Sequence, residues 1–75
     1  MPAPTNLVEL GLAVRAVRRD LDLSQEALAR RAGLHTNQVG RLERGTNVRA
    51  ATLLAVVEGL GVGLAELGRV YDARQ

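Results

Sequence analysis

From position 36 to 44 the chain reads Thr-Asn-Gln-Val-Gly-Arg-Leu-Glu-Arg. At 100° per residue, Thr36, Asn37, Gly40, Arg41 and Arg44 fall within one arc of about 140°, and Val39 and Leu42 point the other way. That arc carries hydrogen-bonding and cationic groups and no apolar side chain. A guanidinium can grip guanine O6 and N7 bidentately, and an asparagine amide can do the same at adenine N6 and N7. Thr36, Asn37 and Arg41 are therefore the candidate base-contacting residues. A solvated helix face would use the same residue types, so the pattern alone leaves both readings open. Gly40 costs roughly 1 kcal/mol in mid-helix. It either lets the helix approach a groove closely or leaves that position without a reader.

Around this arc stand candidates for phosphate contact. Gln25 lies at the start of the preceding helix, where backbone N–H groups and the helix dipole suit an anion. Arg44, Thr46, Asn47 and Arg49 lie where the chain leaves the polar helix and could form a second phosphate clamp. His35 reads as a turn or N-cap residue within reach of a phosphate. With no second ligand nearby, it does not read as a metal site.

Composition narrows the chemistry further. The chain has 75 residues, enough for one domain. Its ten basic residues are all Arg and face eight carboxylates, for a net charge of +2. The pI of about 10.4 overstates this basicity, because Arg holds its proton far above neutrality. The charge is uneven: residues 24–49 carry Arg30, Arg31, Arg41, Arg44 and Arg49 against Glu26 and Glu43, a net of +3. The chain has no Cys, so no disulfide framework, Cys-based zinc site or thiol catalysis is expected. No carboxylate is spaced with a plausible acid, base or metal partner, so the chain reads as a non-enzyme without cofactor or metal. No apolar run approaches membrane-spanning length, and the N-terminus lacks the basic and apolar regions of a signal peptide. The expected location is cytoplasmic, with the nucleoid.

The elements that must position these residues are helical. No segment alternates with period two for long enough to make a strand, so the fold class is all-α. Residues 1–6 read as an extended arm, because Pro2 and Pro4 keep them out of a helix. The first helix runs from about Asn6 to Asp20, with Thr5 or Asn6 as N-cap and Leu7, Leu10, Val14, Val17 and Leu21 on one stripe. Ser24 caps a second helix that Gly33 stops. A third helix follows from about Thr36 to Arg44, a fourth from about Ala50 to Leu60, and a fifth from Leu64 to about Tyr71. The domain spans residues 7–71, and 72–75 read as a tail. Two short helices joined by a three-residue turn with Gly at its start describe a helix-turn-helix over about 25–44. An ordinary helical hairpin would show the same turn.

Leu23-Ser24-Gln25-Glu26-Ala27-Leu28-Ala29, then Ala32-Gly33-Leu34, Val39 and Leu42-Glu43-Arg44-Gly45 resemble the lambda repressor/Cro-like, XRE-type helix-turn-helix family of transcriptional regulators. Leu53-Leu54, Leu60-Gly61-Val62 and Ala65-Glu66-Leu67 continue the resemblance, which covers about residues 10–68. It implies a compact five-helix domain whose third helix enters the major groove of DNA. It also implies base contacts at Thr36, Asn37 and Arg41, a backbone contact at Gln25, and a buried ion pair between Arg18 and Glu43. Both members of that pair fall at the border of an apolar stripe. Leu34-His35, Gly40 and Glu43-Arg44-Gly45 further resemble controller proteins of restriction–modification systems, a branch of small dimeric regulators. Val48-Arg49 departs from the Pro-Ser-type start of the fourth helix common in the family.

The leading expectation is a sequence-specific DNA-binding regulator that reads an inverted repeat as a homodimer. A Leu, Val and Ala core this small is marginal alone, and oligomerisation is a common remedy. Leu64, Leu67, Val70 and Tyr71 are the expected dimer surface, joined by Val8 or Leu12. The alternative is a protein-interaction module, an antitoxin-like adaptor that uses the same fold to hold a protein partner.

Overall fold

Asn6 opens the first helix: its Oδ1 accepts the backbone N–H groups of Val8 and Glu9 at 3.1 and 3.2 Å. This satisfies two of the donors that a helix start leaves unpaired. A computed structural model describes residues 6–46 and 49–75. It contains five α-helices: α1 Leu7–Asp20, α2 Gln25–Ala32, α3 Thr36–Glu43, α4 Ala50–Leu60 and α5 Leu64–Arg74. There is no strand among the described residues.

Local chemistry explains the boundaries. Ser24 Oγ accepts the Ala27 N–H at 3.0 Å and starts α2. Gly33 ends it in the left-handed region, at φ +70°, which a side chain would disfavour. His35 occupies the N-cap of α3, and its backbone N–H donates to Gln38 Oε1 at 2.9 Å. This is the reciprocal half of a capping box. The fifth helix continues to Arg74, so the expected 72–75 tail is helical for all but its last residue. Long-range contacts hold this last turn. Arg74 Nε donates to Glu9 Oε2 at 2.8 Å, and the Tyr71 hydroxyl accepts the Asn6 N–H at 3.0 Å.

The core consists of Ala13, Val14 and Val17 from α1, Leu28 and Ala29 from α2, Val39 and Leu42 from α3, Val56, Val57 and Leu60 from α4, and Leu67 from α5. Leu7 and Leu21, expected on the buried stripe, are each 43% exposed. They stand at the two ends of α1, where fewer neighbours can cover a side chain. The small residues set the helix spacing. A Cβ on Gly59 would lie 3.0 Å from the Ala32 Cβ, so α4 lies close against α2.

The closest approach is at Gly11. A Cβ there would lie 2.3 Å from the Glu43 carbonyl oxygen and 2.6 Å from the Leu42 carbonyl oxygen. The α1 backbone therefore rests directly on the last turn of α3. Glycine at position 11 is what lets the first helix support the third.

Candidate nucleic-acid interface

Glu43 is the last residue of α3 and is 1% exposed. An anion at a helix C-terminus meets the negative end of the dipole, so it needs cations to be tolerated there. Two come from α1. Arg18 Nε donates to Glu43 Oε2 at 2.6 Å and its Nη2 to Oε1 at 3.0 Å, a fork-on-fork pair. Arg15 Nε adds a bond to Oε1 at 3.2 Å, and Gln25 Nε2 another at 3.1 Å. Arg18 Nη1 donates in turn to the Leu23 carbonyl at 2.8 Å and fixes the turn between α1 and α2.

Burial pushes the Glu43 carboxyl up, but the hydrogen bonds from Arg18, Gln25 and Arg15 outweigh it and hold the group below the usual glutamate value. The hydrogen bond to Glu43 raises Arg18 above its ordinary value, against the opposing effect of burial. One carboxylate thus ties α1, α2 and α3 into a frame.

On that frame α3 presents its outer side. Asn37 and Arg41 are exposed and Thr36 is half-buried at the first turn. Arg41 also lines a cleft of about 250 Å³ with Gln38, Arg49 and Thr52, between α3 and the start of α4. Gln38 and Thr52 had no place in the sequence expectation. Gln38 lies between the polar arc and the core, and Thr52 is brought here only by the fold.

Gly40 differs from its expected place on the open polar arc, because it is buried. Its missing Cβ would sit 3.2 Å from Arg44 Nη1 and 3.8 Å from Gln25 Oε1. Gln25 and Arg44 therefore close over it. Arg44 is exposed and follows α3 as its C-cap. Gln25 keeps one amide proton beyond the one given to Glu43.

Thr46 is exposed, and its hydroxyl donates to the Arg41 carbonyl at 3.1 Å, which caps the end of α3. His35 and Arg49 are exposed. Asn47 lies outside the described residues.

The expected dimer surface divides in two. Leu67 is 1% exposed and belongs to the protomer's own core, so it is not available to a second copy. Leu64 is 55% exposed, and Val70 and Tyr71 are half-buried. Leu64, Tyr71, Leu10 and Leu53 line an apolar groove of about 200 Å³ whose floor includes Leu67. Among the described residues no group of acidic or His side chains is arranged to hold a metal ion. No single described helix is long and apolar enough to cross a membrane.

A helix-turn-helix family model matches residues 14–67 of the chain. No curated protein matches it. Several solved structures are similar, and three of them are representative. The clp gene regulator ClgR from C. glutamicum has a TM-score of 0.84 and 26% identity, covering 97% of this chain and 96% of that one. The restriction-modification controller protein C.Esp1396I has a TM-score of 0.83 and 20% identity, covering 89% and 88%, which speaks for the fold alone. The restriction-modification controller protein C.AhdI from Aeromonas hydrophila has a TM-score of 0.76 and 39% identity, covering 81% and 94%. A family match over most of the chain thus coincides with the capped α2, the Gly33 turn and the outward face of α3. The chain belongs to the XRE-type helix-turn-helix family, the lambda repressor/Cro-like DNA-binding regulators.

Proposed function

We propose that this DNA-binding regulator acts as a homodimer on an inverted-repeat operator, with α3 in the major groove. The observation that carries the reading is the pairing of a rigid inner side of α3 with a polar outer one. Glu43 is locked beneath the helix while Asn37 and Arg41 stand exposed above it. A reader of base edges needs this combination, because hydrogen-bond selectivity depends on side chains held in a fixed register.

In this reading Arg41 takes guanine, Asn37 takes adenine, and the Thr36 hydroxyl serves either base. Gln25, His35, Arg44 and Arg49 hold the phosphates on both sides of the groove. Two such domains related by a two-fold axis place their third helices about 34 Å apart, one turn of DNA. Leu64, Val70 and Tyr71 offer the apolar surface for that pairing. The kinship with C.AhdI favours a controller role in a restriction–modification system. The reading needs no cofactor and no catalytic step, and it places the protein in the cytoplasm with the nucleoid.

Selection from a pool of randomised duplexes tests the proposal. The expected product is a palindromic consensus, bound with an affinity that falls steeply as salt rises. Arg41→Ala should lose sequence preference while retaining non-specific binding. A pool that shows neither enrichment nor salt dependence would overturn the DNA reading, and a consensus with a single half-site would overturn the dimer.

A further inference from the structure

The Glu43 cluster contains more positive than negative charge. One carboxylate faces two guanidinium groups, so the set carries a net +1. Arg18 does not present this excess charge to solvent. It is 7% exposed, grips both Glu43 oxygens and gives its remaining nitrogen to the Leu23 carbonyl. Arg15 is different. It holds Glu43 through Nε alone, and its side chain is 32% exposed. Its two terminal nitrogens have no partner among the described residues, and no unpaired side-chain nitrogen is buried there. Those nitrogens therefore face solvent.

Their direction follows from the shared acceptor. Arg15 Nε and Gln25 Nε2 both donate to Glu43 Oε1, so the two side chains are neighbours. Gln25 opens α2, and its amide lies beside Arg44 across Gly40. Arg15, Gln25 and Arg44 thus form a strip over α1, α2 and α3, with a cation at each end and an amide in the middle. Phosphate oxygens accept hydrogen bonds and never donate them, and this strip offers donors of the required kind.

We propose that Arg15 is a DNA phosphate contact, with its guanidinium held in place from below by Glu43. The proposal rests on the DNA reading above and adds α1 to the footprint. Glu43 anchors the Nε edge, so the opposite edge is presented already oriented, and little rotamer freedom is lost when a phosphate arrives. Glu43 is then a positioning residue for the DNA backbone as well as a structural anchor of the recognition helix.

The test compares wild-type protein with Arg15→Gln and Arg15→Lys on two duplexes: the selected consensus and a random sequence of equal length. Affinities are measured over a salt series. Arg15→Gln should weaken both duplexes by the same factor, roughly tenfold near 0.1 M salt, and make the negative slope of log K against log salt shallower by about 0.9. Arg15→Lys keeps the charge and should keep the slope. Arg15→Gln leaves Arg18 and Gln25 on Glu43, and a thermal melt of each variant checks that it is folded. If wild-type protein binds neither duplex, the DNA reading itself fails. If wild-type protein binds and folded Arg15→Gln keeps the wild-type slope, Arg15 has only a structural role and the proposal fails.

Discussion

Arg18→Ala tests the frame that aims α3. The substitution removes two hydrogen bonds to Glu43 and one to the Leu23 carbonyl. Oε2 loses the only partner it has among the described residues, inside a site where Glu43 is 1% exposed. Removing one member of a buried pair destabilises by about 3–5 kcal/mol, because the other charge is stranded. Here Arg15 and Gln25 remain on Oε1, so the loss belongs at the low end, about 3 kcal/mol. A 75-residue domain holds about 4–11 kcal/mol in all. The variant should therefore lose a large share of its stability and melt roughly 12–24 °C lower. Urea unfolding followed by circular dichroism measures this directly. An unfolding free energy within about 1 kcal/mol of wild type would refute the reasoning, because the pair would then be a surface-like contact. Arg18→Met combined with Glu43→Leu separates the causes. It should recover much of the loss, since it removes the stranded charge. A double variant no more stable than the single one would assign the loss to packing.

Two further predictions concern the same junction. Gly11→Ala sets a methyl group against the Glu43 and Leu42 carbonyls, which are backbone and cannot rotate away. The expected loss is about 3 kcal/mol, the upper part of the overpacking range, despite the better helix propensity of Ala, and an unchanged urea midpoint would contradict the close approach. The second prediction concerns acid. Glu43 titrates lower in the folded chain than in the unfolded one, so its contribution is present above about pH 4.3 and is lost as pH falls through the lower folded value. NMR titration of the Glu43 carboxyl should place its midpoint below the ordinary glutamate value, and a midpoint at or above it would reverse the sign.

What was legible in the sequence was what neighbours along the chain decide. The Ser24 cap, the Gly33 stop and the apolar periods of α2, α3 and α4 all act within a few residues, and they fix where helices begin and end. The misses involve partners distant in sequence. The last turn of α5 depends on Glu9, which lies 65 residues from Arg74. Gly11 has no signature of its own, because nothing local announces that another backbone passes 2.3 Å from its missing Cβ. An apolar stripe on α5 pointed correctly to burial, but it could not distinguish the protomer's own core from a second copy. Leu67 went to the first and Leu64 stays open. Gly40 fell on the polar side of a helical wheel, yet a wheel does not show that Gln25 and Arg44 fold over it.

The arrangement around Glu43 separates what orients α3 from what α3 can read. The orienting residues, Gly11, Arg18 and Glu43, are buried and lock one another, so changing any of them disturbs all three helices at once. Asn37 and Arg41 are exposed and make no side-chain hydrogen bond within the described protomer. Replacing either removes no internal partner, and surface substitutions of that kind usually change stability by less than about 0.5 kcal/mol. If Asn37 and Arg41 read bases as proposed, sequence preference shifts at positions 37 and 41 while the frame holds. Gln25 and Arg15 stand between these two sets, with one edge on Glu43 and the other turned outward. In the proposed reading a change at either position alters affinity for all duplexes alike, because the groups they offer would meet the phosphate backbone and not the base edges.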